Sequence, residues 1–176
     1  EDVRVTLGVS FLDAARGSSR RVRLPTGRQV AVRVPAGTET GQALRLAGLG
    51  REGLNGGPAG DAIVEITVAP HAYFRREGRD VWIDLPVTLK EAVLGAKVSA
   101  PTIDGPVTLT VPPGSDSGAV LRLRGRGLGK AGDAKDRGDQ FVKLVVKLPK
   151  KIDAKLRDAV AALPDEDDPR RRAGLT

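Results

Sequence analysis

Apolar and polar residues alternate along many short stretches of this chain. Val3–Val9 and Val81–Val87 both place an apolar side chain at every second position, which is the pattern of a strand with one buried face. Pro35 and Pro112 each end such a stretch, because proline cannot donate a hydrogen bond to a neighbouring strand. Glycine is frequent between the stretches, where turns need its conformational freedom. The pattern predicts a mainly β protein built from short strands and tight turns.

The same pattern occurs twice in the same order. Val3–Val9 leads into the segment Phe11–Gly17, and Val81–Val87 leads in the same way into Leu89–Gly95. Later in each copy come a strand that ends in Pro and Gly, a Leu-Arg-Leu strand, and a Gly-Asp pair before the last strand. The two segments are each predicted to form one or two helical turns that end at the glycine. The repeat therefore predicts two tandem similar small β-sandwich domains, each with a short helix.

These copies set the predicted limits of the domains. The first domain is expected over residues 1–77 and the second over residues 78–149. Apolar residues then recur every three or four positions between 150 and 163, which predicts a C-terminal helix with one apolar face. The members of this apolar stripe are Ile152, Leu156, Val160 and Leu163. Residues 164–176 mix charged and small residues without an apolar stripe, so a disordered tail is expected there.

The composition excludes several kinds of chemistry. The chain has no Cys, which rules out disulfides and thiolate metal sites, and His71 is its only histidine. Candidate carboxylate pairs lie in loops, so we expect no enzyme activity, no metal and no cofactor. No apolar stretch reaches the roughly 18 residues that cross a membrane, and a cytoplasmic protein is expected. The chain also contains no Met, so we expect it to be a piece of a longer protein.

The charge adds a second functional hypothesis. The formal net charge is +7, and arginines alternate in Arg20-Arg21-x-Arg23 and in Arg122-x-Arg124-x-Arg126. On a strand the alternate members of each group share one face, which could bind phosphates or could simply be solvated. The glycines of Gly48–Gly53 match a dinucleotide-binding motif formally, but the following Asn-Gly-Gly-Pro breaks the helix that the motif needs. Nucleotide binding is therefore not expected, and nucleic-acid binding is left open.

Several ordered motifs resemble the C-terminal region of DnaJ-type J-domain co-chaperones. The first domain carries Phe11-Leu12-Asp13-Ala14-Ala15-Arg16-Gly17 and the Pro35-Ala36-Gly37 segment. The junction carries His71-x-x-Phe74-x-Arg76-x-Gly78-x-Asp80-Val81, and the second domain Thr88-Leu89-x-Glu91-Ala92-x-Leu94-Gly95 and Pro101-Thr102-Ile103-Asp104-Gly105. The resemblance covers roughly residues 3 to 163. The family's cysteine-rich zinc module is absent and Pro25–Gln29 makes a tight connection instead, which resembles the zinc-free branch that includes curved-DNA-binding members.

The resemblance implies a function and a set of site residues. It implies a co-chaperone that binds unfolded or extended polypeptide in an apolar groove, as an added strand, and delivers it to a DnaK-type ATPase chaperone. The residues implied to line this groove are Val22, Leu24, Val30, Val32 and Phe74. It also implies a homodimer held by the C-terminal helix, through Ile152, Leu156, Val160 and Leu163. The J domain and its His-Pro-Asp motif are not in this sequence, so this chain alone is not expected to activate the ATPase.

Overall fold

A computed structural model describes the backbone of residues 1–130 and 133–176, and the side chains of these residues except 130 and 133–135. The described chain is mainly β with short helices. This confirms the predicted fold class of two similar β units followed by a C-terminal helix.

The first half contains five strands and one helix. They are β1 (Val3–Val9), α1 (Phe11–Arg16), β2 (Ser18–Arg23), β3 (Gln29–Val34), β4 (Ala43–Leu46) and β5 (Ala62–Val68), with a 3-10 turn at Leu54–Gly56. The strands β1, β5 and β4 form one sheet in that order, in which β1 and β5 are parallel and β4 is antiparallel. The strands β2 and β3 form a separate antiparallel hairpin.

The second half repeats this arrangement and adds short strands. Its elements are β6 (Arg75–Glu77), β7 (Asp80–Thr88), α2 (Leu89–Leu94), β8 (Ala96–Ala100), β9 (Val107–Val111), β10 (Val120–Leu123), β11 (Gly129–Lys130), β12 (Asp133–Arg137) and β13 (Gln140–Lys147). The main sheet has the order β10-β13-β7-β6, with β7 and β13 parallel. The strands β8 and β9 form a hairpin equivalent to β2–β3.

Both short helices begin and end as the sequence predicts. Ser10 caps α1 by accepting a hydrogen bond from the Asp13 backbone, and Thr88 and Glu91 form a reciprocal capping box at α2. Gly17 and Gly95 end the helices at φ of 78° and 77°, which a side chain would strain.

The Gly-Asp pair of each copy closes the sheet at one end. In the first copy, the Asp61 carboxylate accepts a hydrogen bond from the Gly48 N–H at 2.9 Å, and the Asp61 N–H donates to the Asp2 carboxylate at 2.7 Å. Asp139 repeats this network in the second copy, with Gly125 and Asp80 as its partners. A side chain on Gly138 would lie 2.2 Å from the Arg79 carbonyl oxygen, so only glycine fits beside this network. The Gly-Asp pair therefore holds together, by hydrogen bonds, the starts of two parallel strands in each copy, β1 with β5 and β7 with β13.

Two apolar clusters form the core. The first lies between the β1-β5-β4 sheet and the β2–β3 hairpin, and its buried members are Val3, Val9, Ala14, Val22, Leu24, Val32, Val34, Ala62, Val64 and Ile66. The second surrounds the larger sheet and includes Val81, Ile83 and Leu144. Helix α1 belongs to both, because Ala14 packs in the first cluster while Phe11 and Ala15 pack in the second. The two halves thus share a packed joint, and the domain limits at 77 and 149 stay a prediction.

The C-terminal helix is shorter than the apolar spacing predicts. Helix α3 (Ala154–Ala161) begins where the Asp153 side chain accepts a hydrogen bond from the Leu156 N–H at 2.9 Å. This capping contact starts the helix after Ile152, and Leu163 lies beyond its end. A further short helix, α4 (Pro169–Arg172), lies in the segment for which a disordered tail is expected.

Candidate peptide-binding surface

Four of the five residues expected to line a groove lie together on the β2–β3 hairpin. Val22 stands directly opposite Val30, and Val32 follows two residues later on β3. Val22, Leu24 and Val32 are buried and Val30 is partly buried, all in the first cluster. These side chains fasten the hairpin to the β1-β5-β4 sheet, so they form a floor under the hairpin rather than an open groove.

Phe74, the fifth residue, lies in a different cluster. Its side chain is 3% exposed and stacks on Phe11, with ring centroids 5.9 Å apart and planes 11° from parallel. Phe74 therefore packs in the joint between the halves and not beside Val22 and Leu24. Neither the alternation nor the family motif indicates this, because the contact joins α1 to a residue far along the chain.

The sole histidine organises this joint. The Nδ1 atom of His71 accepts hydrogen bonds from the backbone N–H groups of Tyr73 and Phe74, at 3.2 and 3.3 Å. The His71 ring also lies 4.4 Å from the Tyr73 ring and 5.8 Å from the Phe11 ring. Three of the five Phe, Tyr and Trp residues of the chain thus gather around His71.

A cavity of about 620 Å³ opens beside this aromatic cluster. Phe11, Ala15, Phe74 and Leu128 supply its apolar wall. Arg76 supplies a polar wall, since its guanidinium donates to the carbonyls of Gly37 and Thr38 at 3.1 and 3.2 Å and pairs with Glu39 at 2.8 Å. Burial lowers the pKa of the Arg76 guanidinium. This cavity depends on the packing of the two halves, so no local pattern in the sequence indicates it.

The hairpin offers an open strand edge. Among residues 1–130 and 133–176, β2 pairs only with β3. The Leu24 N–H donates to the Arg28 carbonyl, which places the even-numbered residues of β2 in the hydrogen-bonded pairs of the ladder. The N–H and C=O groups of Ser19, Arg21 and Arg23 consequently point away from β3. These residues are exposed, and their backbone groups are available to an added strand.

The two arginine groups found in the sequence have different surroundings. In the second half, Arg122 pairs with Asp139, and Arg126 lies 3.7 Å from Asp104. In the first half, Arg20 pairs with Asp13 at 3.3 Å. Within the part of the chain that the structure describes, Arg21 and Arg23 make no ion pair. Arg21 and Arg23 thus leave two uncompensated charges beside the open edge of β2.

The residues expected at a dimer interface are accessible in the single chain. Ile152, Val160 and Leu163 are 39%, 53% and 62% exposed, and Leu156 is partly buried. Leu156 and Val160 lie on α3, one turn apart, and so share a face of the helix. The pairing of two copies through this face stays a prediction.

Membrane-spanning helices and metal sites are both absent from the described residues. No helix among them is long and apolar enough to cross a membrane. No group of three histidine or carboxylate side chains among them is arranged to hold a metal ion.

The duplicated β units, each with a main sheet and a separate two-stranded hairpin, define the class of fold to which the chain belongs. The model of the DnaJ C terminal domain matches residues 3–149. The chain is 44% identical to the chaperone protein DnaJ of Clostridium acetobutylicum over 133 residues, which cover 76% of this chain and 35% of that protein. It is also 44% identical to the curved DNA-binding protein of Coxiella burnetii over 162 residues, which cover 85% of this chain and 50% of that protein.

The chain belongs to the DnaJ C-terminal domain family. The predicted resemblance is therefore confirmed, and it supports a chaperone or co-chaperone role. The chain spans half or less of the length of these curated relatives.

Proposed function

We propose that this chain is the client-binding part of a co-chaperone, which binds unfolded or extended polypeptide and delivers it to a DnaK-type ATPase chaperone. The observation that carries the proposal is the open edge of β2, which lies beside the buried apolar residues of the hairpin. The membership of the chain in the DnaJ C-terminal domain family supports the same proposal. An extended client would add to β2 as a further strand, with backbone hydrogen bonds that do not depend on client sequence. This mode suits a chaperone, because unfolded clients share a backbone and differ in side chains.

The five predicted groove residues have different roles in this proposal. Val22 lies on the inner face of β2, and Leu24 directly follows the strand. The alternate side chains of an added client would point toward the same side of the hairpin. Val30 and Val32 support that face from β3. Phe74 lies in the joint between the halves, and its contact with a client remains a prediction.

The proposed binding involves no catalysis and no cofactor. Two chains would pair through the stripe of Ile152, Leu156, Val160 and Leu163, so that each assembly presents two client sites. The bacterial relatives support a cytoplasmic location.

The experiment that tests strand addition removes one outward N–H group. Ser19→Pro deletes a donor on the open edge of β2, whereas Ala31→Pro deletes the outward donor on the other edge of the same hairpin. Binding of a labelled, uncharged, extended apolar peptide is measured by fluorescence anisotropy at physiological salt. We expect Ser19→Pro to weaken binding about tenfold or more, because it removes one backbone hydrogen bond and introduces a clash.

Ala31→Pro is the matched control, and circular dichroism verifies that both variants fold. If the two variants bind the peptide as the unmodified chain does, clients do not add to β2. If only Ala31→Pro loses affinity, the client edge is β3 instead.

DNA binding is a second candidate function. The net charge of +7, the unpaired arginines of the hairpin and the similarity to a protein named curved DNA-binding protein favour it. Its signature is an affinity that falls steeply with salt, because phosphate contacts release counterions. Peptide binding through an apolar floor and backbone hydrogen bonds would survive the same change in salt.

A further inference from the structure

The cavity between the two halves has the size and the position of a small-molecule site. Its volume is about 620 Å³, and its lining comes from α1, from residues 38–40 and from the segment that joins the halves. Small-molecule sites commonly have volumes of about 300–1,000 Å³ and often lie between two packed units. None of residues 18–24 lines this cavity. The proposed addition of a client strand to β2 therefore leaves the cavity unexplained.

One wall of the cavity is apolar and largely aromatic. The rings of Phe11 and Phe74 stack on each other in this wall, and Ala15 and Leu128 extend it. A ring or an alkyl chain placed against these side chains would lose contact with water, and a ring would also gain the attraction between aromatic groups. This wall therefore suits the apolar body of a ligand.

The opposite wall holds a fixed positive charge. The Arg76 guanidinium donates hydrogen bonds to the carbonyl oxygens of Gly37, Thr38 and Gly78, at 3.1, 3.2 and 2.9 Å. These neutral acceptors orient the guanidinium without neutralising it. Its ion-pair partner within the described residues is Glu39, at 2.8 Å, and the Glu39 side chain is 64% exposed. Arg76 is thus a rigid cation whose counter-charge can move into solvent.

His71 supplies a hydrogen-bond donor to the same cavity. Its Nδ1 atom accepts from two backbone N–H groups, so the neutral ring carries its proton on Nε2. Within residues 1–130 and 133–176, the hydrogen bonds of His71 use Nδ1 and leave the Nε2 N–H without an acceptor. The cavity therefore combines an apolar wall with a guanidinium and an imidazole N–H, which together call for an anionic acceptor.

We propose that this cavity binds a small carboxylate with an apolar body, such as an aryl or alkyl carboxylic acid. The apolar body packs against Phe11 and Phe74. The carboxylate accepts hydrogen bonds from Arg76 and His71 and takes the place of the Glu39 carboxylate, which turns into solvent. A guanidinium matches the geometry of a carboxylate, and the charged hydrogen bond is stronger than the one that a neutral amide would form.

Two probes of the same shape test this proposal. The probes are 2-naphthoate and 2-naphthamide, which share one ring system and differ in charge. Each is titrated into the whole chain, with affinity measured by calorimetry and the site of binding by the NMR signals of the His71 ring, the sole histidine of the chain. We expect 2-naphthoate to bind about tenfold more tightly than 2-naphthamide, because hydrogen bonds to charged groups are stronger. Binding should shift the His71 signals.

The competing carboxylate provides the first variant. Glu39→Gln removes the charge that a ligand must displace, so 2-naphthoate should bind about two- to fivefold more tightly while 2-naphthamide keeps its affinity. Glu65→Gln is the matched control, because Glu65 is an exposed carboxylate on β5 that does not line the cavity. This control should leave the affinity of both probes unchanged.

A blocked cavity provides the second variant. Ala69 is exposed and lines the cavity, so Ala69→Phe places a ring in the volume that the ligand needs. Both probes should then bind at least about tenfold more weakly. Ala43→Phe makes the same change at an exposed position of β4 outside the lining and should leave both affinities unchanged. Circular dichroism verifies that each variant folds.

Three results would overturn the proposal. If neither probe shifts the His71 signals at millimolar concentration, the cavity is not a site for such ligands. If the two probes bind equally tightly, the cavity does not recognise a carboxylate. If Ala43→Phe weakens binding as much as Ala69→Phe, the probes bind elsewhere on the chain. These measurements use no client peptide, so none of the three results bears on the proposed client binding.

Discussion

Replacing Phe74 by Ala tests whether the Phe74 side chain belongs to the core or lines the client groove. The Phe74 side chain is 3% exposed, stacks on Phe11 and lies 4.7 Å from the His71 ring. Removing a buried phenyl ring costs about 3–5 kcal/mol, because apolar burial is lost and a cavity remains. Typical domains have only about 5–15 kcal/mol of stability, so Phe74→Ala should lower the midpoint of urea unfolding by about 2 M.

The neighbouring Tyr73 provides the control. Tyr73 is 49% exposed, so Tyr73→Ala should cost less than about 1 kcal/mol. A double-mutant cycle with Phe11→Ala should show a coupling of about 0.5–1.5 kcal/mol or more, because the two rings stack directly. The stability of the unmodified chain, the three single variants and the double variant is measured by urea unfolding monitored by circular dichroism.

One result would refute this reasoning. If Phe74→Ala changes stability by less than about 1 kcal/mol and still weakens peptide binding, its ring lines the client groove and does not hold the joint. If stability falls as expected, loss of peptide binding in this variant reports damage to the joint. In that case the edge variant Ser19→Pro is the cleaner probe of the client site.

Two further predictions concern pH and assembly. Hydrogen bonds from the Gly125 backbone and from Arg122 lower the pKa of Asp139, so the stability that Asp139 contributes is present above the ordinary carboxyl pKa and is lost as pH falls through the lowered pKa. Asp139→Asn should therefore flatten the acid limb of the urea midpoint between about pH 5 and pH 2. Asp165→Asn in the exposed tail should leave that limb unchanged, and an equal change in both variants would contradict the assignment. Val160→Asp should reduce the fraction of dimer measured by sedimentation equilibrium. Asp158→Lys, on the opposite face of α3, should leave that fraction unchanged. If the unmodified chain is a monomer, pairing through this helix is wrong.

The elements of this fold could be predicted because their signals are local. Alternation gives the strand β1, and a short segment that ends at a glycine gives each of α1 and α2. The Gly-Asp pairs could be recognised as repeated but not explained, since their reason is a chain segment that passes about 2 Å from where a side chain would lie. Strand order was also inaccessible, because β1 pairs with a strand at the far end of its copy.

The candidate site, like the fold, could be predicted from the sequence only in part. The resemblance brought Val22, Leu24, Val30 and Val32 together, and the structure places all four on one hairpin. It could not show that Phe74 joins another cluster, because that depends on how α1 packs between the halves. The open edge was likewise hidden, since an unpaired strand edge is a property of the whole sheet and leaves no local mark in the alternation.

The parallel pairing of β1 with β5, and of β7 with β13, has a consequence for biosynthesis. In each copy the first strand waits for a partner that the ribosome adds about 60 residues later, which takes about 3–12 seconds at bacterial rates of elongation. During that delay the apolar face of β1 has no sheet to join, and the newly made segment has the features of an aggregation-prone strand. The nascent chain of this proposed chaperone is therefore itself a client for whatever protects nascent chains in the cell.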